Sequence, residues 1–142
     1  MDFSLTEEQQ ALADSASRYC ERDYDLAARR SAMTSEEGLS RNKWQSFAEL
    51  GWLGAGLDEA RGGFGGGAIE NALVMEQAGR ALVVEPLQSC AIVALQALAA
   101  VPQTSEIDAL IAALISGETL VSLAHGEAEA RGDRAWCATK AE

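Results

Sequence analysis

The chain has 142 residues, of which 48% are apolar, so it can bury the core of one domain and is unlike a disordered chain. Its formal net charge of −11 would repel phosphate backbones and anionic bilayers, which excludes nucleic acid and membrane surfaces as expected partners. Three widely spaced cysteines, and a start without a basic and then apolar segment, predict a cytoplasmic protein without disulfides or a signal peptide.

The first predicted helix has the clearest beginning. Thr6 is a suitable N-cap, and Gln9 stands three residues further on, as a capping box requires. Apolar residues then recur at helical spacing as far as Ala27. We therefore expect one helix that continues to about Arg30.

A second helix is predicted from about Ser40 to the residue before Gly51. Glycine is the usual residue just beyond a helix end, because it adopts the left-handed backbone conformation without strain. The following Trp52 can then fold back on Phe47, and this contact would close the helix end.

Three more helices are predicted before residue 118. The third covers about residues 68–82, and the fourth, which is very apolar, lies between Pro86 and Pro102. The fifth begins near Ser105 and has apolar residues at positions i, i+3, i+4 and i+7 before Gly117 ends it. The fold class is therefore mainly α, with a helical bundle as residues 1–118.

The stretch "GGFGGG", residues 62–67, raises the question of a phosphate-binding loop. Gly63, Gly65 and Ala68 fit the weak dinucleotide pattern G-x-G-x-x-A, but no strand precedes it, and Ala68 stands where a P-loop has its lysine. We interpret the stretch as a loop between helices whose glycines permit positive φ or close packing. We expect it to bind no nucleotide.

The last part of the chain has a different texture. The segments "TLVSLA" (119–124) and "AWCATKA" (135–141) are short and rich in strand-forming residues, and a polar link joins them. Two strands form a sheet that is marginally stable at best. Residues 119–142 are therefore predicted to be the first one or two strands of a truncated β domain.

Residue chemistry alone names no activity. His125 is the only histidine and has no partner at metal-ligand spacing, so no metal site is expected. Glu76 is interpreted as a structurally paired carboxylate, and the cysteines as packing residues rather than reactive thiolates. The apolar stripe of the fourth helix could line an acyl pocket, but such a stripe is more often plain core.

The order of several motifs carries a resemblance over nearly the whole chain. These motifs are "FSLTEEQQAL", "WQSFAELGWLGAGLDEARGGFGGG", "ALVMEQAGRAL" and "LISGETLVSLAHGE", followed by "ATKAE". In this order the sequence resembles the N-terminal part of the acyl-CoA dehydrogenase superfamily. Among its members, it is most similar to the small subunit of heteromeric enzymes of the pimeloyl-CoA dehydrogenase type.

The resemblance implies a fold and a reaction. Family members have an N-terminal helical domain, a middle β domain and a C-terminal four-helix domain, and they assemble as homo- or hetero-oligomers. They oxidise an acyl-CoA thioester to its α,β-enoyl form: a carboxylate removes the α proton, hydride passes to FAD, and electrons leave to an electron-transfer flavoprotein. The carboxylate belongs to the later helical domain, so no catalytic residue is expected in this chain.

The resemblance also places two sets of site residues. The link before the fourth helix would lie near the far end of the acyl group, with the substrate-binding residues Pro86, Leu87, Cys90 and Ala91. The segment after the first strand would face FAD, with the cofactor-binding residues Leu123, His125, Gly126 and Gly132.

The flavin-facing segment departs from the family pattern. Many relatives have T-E-P-x-A-G-S-D, whereas this chain has "GEAEARGD". Gly126 replaces the threonine and Gly132 the serine, so two hydroxyl donors are lost. Flavin binding by this chain alone is therefore doubtful, and two alternatives stay open: a non-catalytic, FAD-poor partner subunit, or a free-standing helical interaction module.

Overall fold

The computed structural model describes residues 4–133 and 135–140, and within them it contains six α-helices and no β-strand. The helices are α1 (Glu7–Asp23), α2 (Leu26–Thr34), α3 (Arg41–Glu49), α4 (Ala68–Arg80), α5 (Leu95–Ala100) and α6 (Ser105–Ile115). A π-helix, Leu87–Ala94, continues directly into α5. In these described ranges, no helix has the length and apolar character needed to cross a membrane.

The start of α1 confirms the predicted capping box, but its end differs from the prediction. Thr6 and Gln9 exchange hydrogen bonds of 3.0 and 3.2 Å between side chain and backbone. The expectation of one helix to about Arg30 is wrong, because the chain breaks at Tyr24 (φ −128°, ψ 63°). Asp25 then caps α2, accepting a bond of 2.7 Å from the N–H of Ala28. Aspartate favours such a cap over a helix interior.

The end of α3 follows the prediction closely. Gly51 has a φ of 77°, in the left-handed region, and directly follows the C-cap residue Leu50. The rings of Phe47 and Trp52 stack with their centroids 4.7 Å apart, so the chain folds back as expected. This contact directs the loop that follows α3 towards the core.

The predicted fourth helix is only partly an α-helix. Its first eight residues form the π-helix, and only Leu95–Ala100 is α-helical. A π-helix has wider turns with i→i+5 bonds, and apolar periodicity does not distinguish it from an α-helix. The last predicted helix is confirmed as α6, which begins at Ser105 and has Thr104 as its N-cap.

Two hydrophobic clusters hold these helices together. In the larger, α1 packs along α4, and the aromatic residues of α1, α3 and the turn after α3 meet the start of the π-helix. Its largest buried members are Tyr19, Tyr24, Trp44, Phe47 and Trp52. The smaller cluster joins the loop after α3 to α5 and α6 through Leu57, Leu95, Ile111 and Leu114. Removing such a large side chain typically costs about 3–5 kcal/mol.

The two predicted strands are a further correction. Neither 119–124 nor 135–140 forms a strand, and residue 141 of the second segment lies outside the described residues. A strand requires a partner whose N–H and C=O groups complete the ladder, and these segments do not pair with each other. Leu120 still packs against the larger cluster and Val121 against the smaller, so this segment follows the surface of the helices.

Candidate functional site

The link between α4 and the π-helix is fixed by a buried carboxylate. Glu85 is 4% exposed and accepts a bond of 2.5 Å from the Tyr24 hydroxyl. Its other oxygen accepts from the N–H of Ser40 at 3.1 Å. The Tyr24 oxygen in turn accepts from the N–H of Val84 at 3.1 Å. One carboxylate thus connects the α1–α2 junction, the start of α3 and the link.

A cavity of about 310 Å³ opens beside this link. It is bounded by the second half of α4, the link and the first turn of the π-helix. The lining residues are Met75, Ala78, Gly79, Val83, Glu85, Pro86, Leu87, Gln88 and Ser89. Most of them are apolar or small, and apolar walls with a few polar groups are typical of sites for small molecules.

The predicted substrate-binding residues separate into two pairs. Pro86 and Leu87 line the cavity, and Leu87 is also part of the larger cluster. Cys90 and Ala91 are 2% and 5% exposed and belong to that cluster without lining the cavity. The first pair therefore borders the cavity, although Leu87 is itself only 3% exposed, and the second pair lies in the core away from it.

Two residues that hold this link were not predicted from the sequence. Glu85 and Tyr24 hold the link, yet neither was predicted as functional. A signal existed, because Glu85 is a single carboxylate within the otherwise apolar run "ALVVEPL". A buried carboxylate of this kind requires hydrogen-bond donors, and these could come only from elsewhere in the fold.

The predicted cofactor-binding residues lie on the exposed segment that follows α6. Leu123, His125, Gly126 and Gly132 are all exposed, and no other atom lies within 4 Å of the position that a Cβ would take at either glycine. An edge of a flat ring system could therefore approach this backbone closely and meet peptide N–H donors. The segment lacks the hydroxyl donors of the family pattern, and its role as one wall of a flavin site stays a prediction.

The glycine stretch uses its own N–H groups. Backbone N–H groups of five of its residues donate inside the chain: Gly62, Gly63, Phe64, Gly65 and Gly67. Gly62 and Gly65 have φ values of 86° and 76°, and a Cβ on Gly66 would lie 2.2 Å from the carbonyl oxygen of Ala55. These contacts agree with a connector that needs positive φ and close packing.

The charge beside this loop also argues against a phosphate. Glu70 accepts bonds from the Gln9 side chain at 2.8 Å and from the N–H of Gly67 at 2.6 Å. These two bonds hold the pKa of Glu70 below its usual value, so the carboxylate is charged at neutral pH. A negative charge at the N-terminus of α4 occupies the place where an anion would bind.

The remaining reactive groups do not form a catalytic cluster in the described ranges. Burial, with a smaller contribution from Glu21, raises the pKa of the Cys20 thiol to about 11, so this thiol is protonated at neutral pH. The carbonyl oxygen of Leu123 lies 3.5 Å from Nδ1 of His125. Groups of three or more potential metal ligands are absent from residues 4–133 and 135–140.

Fold and site together define a helical domain that contributes an apolar cavity and one exposed backbone wall. The chain belongs to the acyl-CoA dehydrogenase family, because residues 6–118 match the family's model "Acyl-CoA dehydrogenase, N-terminal domain". This match confirms the resemblance and the helical fold that it implies.

Two curated relatives agree with the family. Acyl-CoA dehydrogenase IpdE2 of Mycobacterium tuberculosis is 34% identical over 95 residues, which are 66% of this chain and 30% of the relative. Acryloyl-CoA reductase (NADH) of Anaerotignum propionicum is 31% identical over 80 residues, 56% of this chain and 20% of the relative. The chain therefore spans less than a third of the length of either protein.

Two solved structures share the fold. A variant of the Tcur3481-Tcur3483 steroid ACAD is 28% identical, with a TM-score of 0.74 over 85% of this chain and 33% of that chain. The ChsE4-ChsE5 complex from Mycobacterium tuberculosis gives a TM-score of 0.76 at 24% identity, over 86% of this chain and 34% of that chain. The second likeness concerns the fold alone. The similarity to the pimeloyl-CoA dehydrogenase type stays a prediction.

Proposed function

We propose that this chain is the N-terminal part of an acyl-CoA dehydrogenase subunit that works together with an unlike subunit. The family match over residues 6–118 carries this proposal. The name of the Tcur3481-Tcur3483 steroid ACAD joins two protein designations, so this solved structure supports an assembly of two unlike subunits. Residues 119–142 as the start of a β domain and a cytoplasmic location belong to the same proposal.

In this proposal the chain positions the acyl group and leaves the chemistry to other parts of the complex. The reaction removes two hydrogens from an acyl-CoA thioester: a carboxylate from a later domain takes the α proton, and the β hydrogen leaves as hydride. FAD, when bound, would supply the hydride acceptor, and the electrons would leave to an electron-transfer flavoprotein. Pro86, Leu87 and Met75 provide apolar surface for the distal acyl group, and Glu85 fixes the link that carries the first two.

A second candidate function is favoured by one observation. Gly126 stands where the family pattern has a hydroxyl donor, its φ is not positive, and the space beside it is open. Neither crowding nor backbone conformation therefore accounts for the hydroxyl lost at Gly126, whereas the φ of 89° at Gly132 itself favours glycine. This favours a non-catalytic, FAD-poor subunit that completes the site of its partner. A helical module with no connection to acyl-CoA is disfavoured by the family match.

The flavin content of the purified protein tests the main proposal. Each lost neutral hydrogen bond costs about 1 kcal/mol, or roughly a fivefold loss of affinity. We expect the full-length protein to be pale when expressed alone and yellow when co-expressed with an unlike acyl-CoA dehydrogenase subunit. Absorbance at the flavin band, relative to protein, measures the occupancy.

A matched variant makes the flavin test sharper. Gly126→Thr restores a hydroxyl at an open position, so FAD should bind the complex roughly fivefold more tightly. Stoichiometric FAD on the protein expressed alone would contradict the shared site. A complex that is yellow but is not reduced by any acyl-CoA would favour the non-catalytic role.

The cavity beside the link gives a prediction about the substrate. Gln88 is exposed and lines the cavity, so Gln88→Trp should narrow it without disturbing the core. In the active complex we expect kcat/KM for long or bulky acyl-CoA esters to fall on the order of tenfold, with short esters unaffected. Ala91→Phe is a poorer test, because it overpacks the core and would destabilise the fold by about 1–3 kcal/mol. An equal loss for short and long esters would remove this cavity from the acyl site.

A further inference from the structure

The carboxylate of Glu127 closes a loop in the segment that follows the helices. It accepts bonds from the N–H of Ala138 at 2.8 Å and from the N–H of Thr139 at 3.0 Å. The hydroxyl of Thr139 donates to the same carboxylate at 2.9 Å. Three donors from two adjacent residues therefore meet one side chain that lies eleven or twelve positions earlier.

The chain between these contacts turns back on itself. Arg131 and Gly132 both have positive φ, at 45° and 89°, and the N–H of Asp133 donates to the carbonyl oxygen of Ala130 at 2.8 Å. The Asp133 side chain then accepts from the N–H of Ala135 at 2.9 Å. No strand ladder joins the two sides within residues 119–133 and 135–140. At its base, the loop is therefore held by the bonds to Glu127.

Both glycines of the predicted flavin-facing segment lie beside this closure. Gly126 directly precedes Glu127, and Gly132 is at the turn of the loop. The N–H donors of Ala138 and Thr139, and then the Thr139 hydroxyl, keep the pKa of Glu127 below its usual value, so it is charged at neutral pH. Charge-assisted bonds of this kind are stronger than neutral ones.

We infer that Glu127 is a positioning residue for the cofactor: its carboxylate ties residue 127 to residues 138 and 139 and so presents the backbone at Gly126 and Gly132 to the flavin. This inference rests on the proposed function. A loop that is already closed loses less conformational freedom when a ligand binds, and such preorganisation increases affinity. Because two hydroxyl donors are missing from this wall, the orientation of its backbone donors carries more of the binding.

The test compares Glu127→Gln with the wild type in the full-length protein co-expressed with its partner subunit. The glutamine keeps the volume, but it loses the charge and turns an NH₂ group towards N–H donors. We expect the amides of Ala138 and Thr139 to exchange with deuterium about tenfold faster and the dissociation constant for FAD to rise about tenfold. Glu129→Gln makes the same change at an exposed carboxylate two positions further on and is the matched control, expected to change neither quantity.

Each outcome decides the inference. Faster exchange together with weaker FAD binding supports it. Unchanged exchange in Glu127→Gln overturns the closure, and faster exchange with unchanged FAD affinity overturns the positioning role. Failure of the proposed function is recognised separately, since the wild-type complex itself would then bind no FAD. That result would also overturn the role of Glu127 towards the cofactor, whatever the exchange rates show.

Discussion

Replacing Gly63 by alanine is expected to lower the free energy of unfolding by roughly 2–3 kcal/mol. A Cβ at this position would lie 2.2 Å from the carbonyl oxygen of Leu57 and 2.5 Å from its Cβ. Neither atom can move easily, because Leu57 is 2% exposed in the smaller hydrophobic cluster and its carbonyl accepts a bond of 2.9 Å from the N–H of Gly65. Urea unfolding followed by circular dichroism measures the loss.

Gly79 provides the matched control for this prediction. It lies within α4, has no positive φ, and would place its Cβ in open space. Gly79→Ala should therefore stabilise the protein by about 0.5 kcal/mol, because alanine favours the helix. Equal stabilities for the two variants would show that the glycine stretch tolerates side chains, and that its close contact with Leu57 is not required.

Local signals predicted the ends of several helices. Contacts within a few residues begin α1 and end α3, and such contacts can be recognised directly in a sequence. They involve Thr6 with Gln9 at the start of α1, and Gly51 before Trp52 at the end of α3. At the break after α1, the cap residue Asp25 was also a local signal, but the apolar spacing that continues to Ala27 outweighed it in the prediction. The bond that holds Tyr24 there reaches Glu85, 61 positions away, and a contact at that separation leaves no periodicity in the sequence.

The candidate site, like the helix ends, was predicted from the sequence only in part. The family resemblance pointed to the link, and Pro86 and Leu87 do line a cavity beside it, while their contact with the acyl group stays a prediction. Cys90 and Ala91 were assigned the same role because they are small and apolar, but core residues share these properties. The π-helix decides which residues of this stretch face the cavity, and the apolar pattern carries no signal for it.

The strands failed as predictions for a related reason. Residues 119–124 and 135–140 have the composition of strands, but a strand forms only where a neighbour completes its ladder. In place of a strand ladder, hydrogen bonds from Ala138 and Thr139 to Glu127 hold the base of the loop. The composition of these segments indicates a preference for strands. Whether they pair into a sheet depends on residues outside the two segments.

Removing the carboxylate of Glu85 is expected to have the largest effect on the site. Glu85→Ala would leave the hydroxyl of Tyr24 and the N–H of Ser40 without their acceptor in a buried environment. An unsatisfied buried donor costs about 1–3 kcal/mol, so we expect a loss of roughly 3 kcal/mol in the free energy of unfolding. Glu85→Gln keeps the volume and one acceptor oxygen, and its loss should be about 1 kcal/mol.

The pH dependence of stability distinguishes this network from simple loss of packing. Burial, and then the bond to Glu85, raise the pKa of the Tyr24 hydroxyl above its usual value of about 10. A raised pKa in the folded state means that the neutral hydroxyl stabilises the fold fully below pH about 10, and that this stabilisation is lost as the pH rises through the folded pKa. Above pH about 10, the wild type should therefore lose stability more steeply than Tyr24→Phe, which has no hydroxyl to ionise.

Denaturant unfolding of both proteins between about pH 8 and 11 measures how the free energy of unfolding of each depends on pH. Parallel curves would show that Tyr24 ionises in the folded state as it does in the unfolded chain, and that Glu85 does not fix the link through this hydroxyl.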